Sequence, residues 1–184
     1  MIFTETELNG AYIIDIDPMS DERGFFARTF CRHEFEDRGL HADYVQCSVS
    51  FNKLKGTLRG MHYQAAPYEE IKLIRATMGS IYDVIVDIRP GSSTFGHWVA
   101  VELSAENRRM LYVPKGFAHG FQTLEDNVEV FYQMSEYHHP EAARGVRWDD
   151  PDMHLTWPLS PIAMSDRDRA LSCLRALRAA SANR

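Results

Sequence analysis

Apolar and polar positions alternate along much of the chain. Between Ser80 and Arg89, Tyr82, Val84, Val86 and Ile88 share one face, while Ile81, Asp83, Ile85 and Asp87 share the other. Successive strand side chains point to opposite sides, so this period of two predicts a strand. His97 to Leu103 and Met110 to Val113 read as further strands, and Val128 to Met134 places Val128, Val130, Tyr132 and Met134 on one face. Turn chemistry separates these runs at Arg89-Pro90-Gly91-Ser92, Ser104-Ala105-Glu106-Asn107 and Pro114-Lys115-Gly116. Many short strands divided by turns predict a mainly β fold, a sandwich or a barrel.

Two stretches change period. Arg32 to Arg38 predicts a short helix ended by Gly39. Asp166 to Ala180 sets Ala170, Leu171, Leu174 and Leu177 at helical spacing, which predicts a C-terminal helix. One domain over residues 1–168 followed by a helix or tail over 169–184 is the expected organisation. There is no βαβ rhythm and no glycine-rich phosphate loop, which argues against a nicotinamide-binding domain and a P-loop kinase.

Composition narrows the field further. The 184 residues are 45% apolar and 25% charged, with a formal net charge of -6. An acidic surface disfavours unspecific binding to nucleic acid or to anionic membrane, so any phosphate site must rest on a few local cations. No apolar run is long enough to span a bilayer, and the first residues lack the basic start and apolar stretch of a signal peptide. Cys31, Cys47 and Cys173 form no CxxC pair and suit reduced thiols in the cytoplasm.

Chemistry-bearing residues concentrate in Arg59-Gly60-Met61-His62-Tyr63-Gln64, Lys72, the run Pro114 to Phe121 with His119, and Tyr132. Proton abstraction beside a ketone needs this combination. A neutral imidazole takes the proton. A cation meets the oxygen on which enolate charge develops. A phenol can return a proton from the other face. Each residue also has a plainer reading: His62 as a hydrogen-bonded structural group, Lys72 on a strand edge, Tyr132 in the core, Arg59 at the surface.

Ordered runs carry a more specific signal. They are Asp21-Glu22-Arg23-Gly24-Phe25-Phe26, Leu58 to Gln64, Lys72-Leu73, Val86 to Arg89, Glu102 to Asn107, Val113 to Phe121 and Arg144 to Pro151. In this order they resemble the dTDP-4-dehydrorhamnose 3,5-epimerase family, cupin-type epimerases of deoxysugar biosynthesis. The resemblance implies a jelly-roll, cupin-like β-barrel with short peripheral helices, and a homodimer with neither metal nor cofactor. It implies inversion of C3, C5 or both in a nucleotide-diphosphate 4-keto-6-deoxyhexose. His62 would be the general base oriented by Asp168, Lys72 would stabilise the enolate, and Tyr132 would be the acid. Arg23 and Arg59 would hold the diphosphate, and His119 would line the sugar pocket. Phe26, Arg28, Gln46, Ser48 and Tyr137 complete the implied substrate-binding set. Asp168 also stands in Ser165-Asp166-Arg167-Asp168, a possible capping box, and Asp83 is the alternative partner for a histidine.

Two positions depart from the family pattern. Arg28 stands where a glutamate is usual, and Ser48 where an asparagine is usual. A guanidinium only donates and cannot accept from thymine N3–H, whereas cytosine offers acceptors, so a CDP-linked sugar stands beside a dTDP-linked one. Two rival readings remain open. Pro114-x-Gly116-x-x-His119 resembles the second cupin motif, and His62 with Glu69 or Glu70 part of the first, a set that would suit a divalent metal. His62-Tyr63-Gln64 lacks the second imidazole of the usual HxH pair, and Lys72 would place positive charge near the ion. The other rival is a sugar-binding cupin without catalysis.

Overall fold

The structure is a computed structural model that describes residues 1–182, the last four by their backbone alone. The first half of the chain forms β1 (Ile2–Glu5), β2 (Tyr12–Asp15), β3 (Met19–Asp21), β4 (Gly24–Phe26), α1 (Arg32–Glu36), β5 (Gln46–Asn52), β6 (Leu58–Gln64), β7 (Lys72–Met78) and β8 (Ser80–Asp87). The second half adds β9 (Trp98–Ser104), β10 (Met110–Val113), β11 (Phe117–Thr123), β12 (Val128–Met134), β13 (Ala143–Gly145), α2 (Asp166–Arg169) and α3 (Leu174–Ala182).

Strands run β1-β2-β10-β7-β12-β5 in one sheet and β13-β6-β11-β8-β9 in a second, with β3-β4 a separate hairpin. Every strand pair within these sheets is antiparallel. The two sheets face each other in a cupin-like jelly roll. Alternation explains the packing. Ile81 and Ile85 point inward to meet Ile74, Leu111, Val128 and Val130 of the opposing sheet. Val84 and Val86 point outward and are covered by Met153, Leu174 and Trp157. Strand β8 is therefore buried on both faces, which is why both of its alternating sets are largely apolar. The outer side of the six-stranded sheet is partly covered by Phe35 of α1, packed with Ile14, Leu73 and Tyr112.

Two glycines set the spacing of β6 and β11. A Cβ on Gly60, whose φ is +120°, would lie 2.6 Å from the Gly120 Cα and 2.8 Å from the His119 carbonyl oxygen. A Cβ on Gly120 would lie 2.8 Å from the Arg59 carbonyl oxygen. Only bare glycines permit this approach. It leaves His62 and His119 as register partners.

One expectation needs correcting. The C-terminal helix predicted over Asp166–Ala180 is two helices. Ser165 Oγ accepts from the Asp168 amide at 3.1 Å and caps α2. The chain then leaves the helix to bridge Ser172 to Val146, and the Arg147 amide donates to the Ser172 carbonyl at 3.0 Å. These pairings compete with helical hydrogen bonds and win. Beyond residue 168, Leu174 and Leu177 pack on the outer face of β8. Residues 183 and 184 of that expected segment lie outside the described residues.

Candidate active site

A cavity of about 290 Å³ opens between the sheets. His62 and His119 enter it from the five-stranded sheet. Lys72, Tyr132, Met134, Ser48 and Ser50 enter it from the six-stranded sheet. The sequence pattern of β12 explains the transition from core to pocket. Val128 and Val130 are buried between the sheets, and the next two residues of that face, Tyr132 and Met134, line the cavity. The mouth of a β-barrel is a common place for such a site.

His62 Nε2 lies 2.6 Å from Asp168 Oδ1. The Gly60 amide donates to the other carboxylate oxygen at 3.3 Å. Burial by itself pushes the Asp168 carboxyl up, but the His62 ring, the Gly60 amide and Ser165 outweigh it and hold it below the usual carboxylate range. An ionised carboxylate only accepts, so Nε2 carries the hydrogen of this bond and Nδ1 is the ring nitrogen left for the cavity. The His62 side chain is 39% exposed and Asp168 5%, so the ring meets the cavity from a buried anchor.

A second histidine–aspartate pair lies beside it. His119 Nε2 is 2.7 Å from Asp83 Oδ1, and the other Asp83 oxygen has no hydrogen-bond partner. Burial raises the Asp83 carboxyl, with His119 and Lys72 pulling the other way. Tyr132 packs edge-on to the His119 ring with centroids 6.0 Å apart. Burial and the nearby Asp83 push the Tyr132 phenol far above its ordinary range, against a smaller pull from Arg59. The phenol therefore stays protonated at neutral pH. Asp83 partners His119 and not His62, which removes the alternative pairing.

The remaining expected residues divide into two groups. Lys72 Nζ pairs with Glu70 Oε1 at 3.1 Å on the cavity wall. Arg59 is exposed, and its Nε donates to Asn52 Oδ1 at 2.7 Å. Ser48 is the register partner of Tyr132 on β5. Gln46 accepts from the His138 amide at 2.7 Å. Tyr137 is exposed, and its carbonyl accepts from Gln64. Of these, Lys72 and Ser48 line the cavity, while Arg59, Gln46 and Tyr137 do not, and neither do Arg23, Phe26 and Arg28. Arg23 pairs with Asp21 inside the β3–β4 hairpin. Phe26 and Arg28 line a separate cavity of about 160 Å³ with Met1, Asp17 and Met19. The Arg28 guanidinium lies 3.8 Å from Glu34 Oε1.

Among the pocket residues, Arg144, Arg167 and Gln64 had been given no role in the sequence, and Glu70 only that of a metal ligand. Arg144 and Arg167 line the cavity and are exposed cations. Glu70 faces Lys72, a pairing that the i, i+2 spacing on an extended chain could have signalled. Gln64 is buried, donates at 3.0 Å to the carbonyls of Tyr68 and Tyr137, and accepts from the His139 amide at 2.7 Å. It ties together the two loops at the mouth. The metal reading asks His62, His119 and a carboxylate to converge. Instead each ring's Nε2 faces its own aspartate and Glu70 faces Lys72. Among the described residues no three His, Cys, Asp or Glu side chains are placed to share an ion.

Two antiparallel sheets enclosing a polar cavity with paired imidazoles, a phenol and an ammonium define a cupin-type enzyme scaffold. The family model for dTDP-4-dehydrorhamnose 3,5-epimerase matches residues 5–176. The epimerase of that name from Methanothermobacter thermautotrophicus is 43% identical over 176 residues, covering 94% of both chains. The crystal structure of the Bacillus anthracis enzyme, with TDP and PPi bound, superposes with a TM-score of 0.90 at 40% identity, covering 94% of this chain and 98% of that one. The Legionella pneumophila enzyme, solved in complex with dTDP-4-keto-L-rhamnose, gives 0.90 at 38% identity, covering 97% and 95%. The chain belongs to the dTDP-4-dehydrorhamnose 3,5-epimerase family, and the family's activity is an isomerase activity.

Proposed function

We propose that this chain is a dTDP-4-dehydrorhamnose 3,5-epimerase that inverts C3 and C5 of a dTDP-linked 4-keto-6-deoxyhexose in deoxysugar biosynthesis. The observation that carries the reading is the meeting, in one cavity between opposing sheets, of the His62–Asp168 pair with Tyr132 and Lys72. His62 Nδ1 takes the proton from the carbon beside the ketone. The C–H electron pair becomes a carbon–carbon double bond to the former carbonyl carbon and the carbonyl π electrons move onto oxygen, giving an enolate beside the Lys72 ammonium. Tyr132 donates its hydroxyl proton to the opposite face of that carbon while the enolate returns to ketone. Asp168 steadies the imidazolium, which then loses its proton to water as the phenolate regains one.

The cations expected to hold the diphosphate are Arg59 on β6 and Arg23 on the hairpin. Arg23, Phe26 and Arg28 are all exposed in the single chain. A homodimer in which the hairpin of a second copy completes the cavity reconciles their place with their expected role. Mixing His62→Ala with Arg23→Ala chains would then regain activity that neither has alone. No helix among the described residues is long and apolar enough to cross a membrane, and all three cysteines are free, which suits work in the cytoplasm.

The deciding experiment is incubation in heavy water with dTDP-4-keto-6-deoxyglucose. Deuterium should appear at C3 and C5 with inversion. Absence of label at both carbons would end the epimerase reading.

A further inference from the structure

Lys72 is anchored before any substrate arrives. Its ammonium lies 3.1 Å from Glu70 Oε1, and the two side chains are 12% and 11% exposed. Both line the cavity, whereas Ile71 between them packs in the core under α1. The cause is local and can be traced. The Ile71 amide donates to Ser135 Oγ at 2.8 Å, and the Ser135 amide donates back to the Ile71 carbonyl at 3.0 Å. Those two bonds hold the segment extended at the start of β7. In an extended segment residues i and i+2 share a face, so burying Ile71 on one side turns Glu70 and Lys72 together toward the other.

An unrestrained lysine is a point charge on a flexible four-carbon stem. Shielded from water beside a carboxylate, it has far fewer places to go. One of its three N–H donors is taken by Glu70, which leaves two for the cavity. We infer that Glu70 is a positioning residue for the epimerisation. It fixes the Lys72 ammonium where the enolate oxygen forms, so that little reorganisation is needed as charge develops. This rests on the reading of Lys72 as the enolate's partner.

A double-mutant cycle tests it. Glu70→Ala should lower turnover about 10- to 100-fold, the scale of a misplaced catalytic group, with KM changed by less than about threefold because the ground-state ketone carries little charge. Glu70→Gln keeps the shape and an amide oxygen that still accepts from Nζ, so it should recover most of the loss. In a Lys72→Met background, adding Glu70→Ala should cost less than about twofold, because the group it positions is gone. Equal losses in both backgrounds, or wild-type turnover in Glu70→Ala, would overturn the role of Glu70 alone. A fully active Lys72→Met would overturn the reading of Lys72 and this one with it.

Discussion

His62 and His119 are register partners on adjacent antiparallel strands, yet each reaches a different aspartate, Asp168 at 2.6 Å and Asp83 at 2.7 Å. The consequence is a division of labour between two imidazoles. The His62 side chain is partly exposed to the cavity, while His119 is buried against Asp83 and Tyr132. Both rings line the cavity, the first partly open to it and the second held in its wall.

Removing the base gives the most direct check. His62→Ala should lower turnover by about 10²–10⁴-fold, the usual contribution of a general base. Solvent deuterium incorporation at C3 and C5 should fall with it. Exchange at the wild-type rate would leave His62 without a chemical role.

Lys72→Met should act on the chemical step. Loss of one preorganised partner of a developing oxyanion costs about 10²–10³ in turnover. Because that charge is small in bound substrate, affinity for the dTDP sugar should change much less. Calorimetric binding alongside turnover separates the two, and weak binding with normal turnover would make Lys72 a binding cation only.

Gln64→Leu should loosen the mouth of the cavity. It strips partners from the Tyr68 and Tyr137 carbonyls and the His139 amide. A fully buried group left unpaired costs about 1–3 kcal/mol, and these part-buried ones cost less. Urea unfolding should show a lower midpoint at unchanged slope, and KM should rise more than kcat falls. An unchanged midpoint would show that water replaces the side chain at no cost.

Acid stability should depend on Asp87. Burial alone would raise its carboxyl, but the Arg89 guanidinium, the Ser92 and Thr94 hydroxyls and the Arg89 amide hold it at about 2. An unfolded aspartate titrates near ~3.9, so the folded value is depressed. The stabilisation is present above the unfolded value and is lost as pH falls from about 4 toward 2. It amounts to about 2 kcal/mol at neutral pH. Asp87→Asn should remove that part of the pH dependence of thermal unfolding, and an unaltered acid limb would rule the pair out as its source.

Activity should survive exhaustive chelation. The two imidazoles are engaged by separate aspartates, and Glu70 is engaged by Lys72. Elemental analysis of the chelated, active enzyme is the control. Loss of turnover that returns only with added iron, zinc or manganese would favour the metal cupin.

Much of this molecule is legible in one dimension. The alternation of Val128–Met134 marked both the ends of β12 and the face that holds Tyr132, because side-chain direction in a strand follows from sequence parity alone. The same parity places Glu70 and Lys72 on one side of Ile71. The ordered runs carried the family, and with it the jelly roll. Parity does not say which distant segment will lie opposite. His62 and Asp168 are 106 residues apart, and His119 and Asp83 are 36 apart, so their pairing was settled only when β6, β8, β11 and α2 came together. The split between α2 and α3 has the same origin. The helical spacing of Leu174 and Leu177 is real, but Ser172 is captured by Val146 of a segment that local propensity cannot see. The hairpin bearing Arg23 follows the same rule: the pairing of β3 with β4 is local, while its place outside the cavity is set by how the large sheets pack. Local periodicity fixes direction and type, and long-range packing fixes partners, because hydrogen bonds and ion pairs depend on positions that only the assembled sheets define.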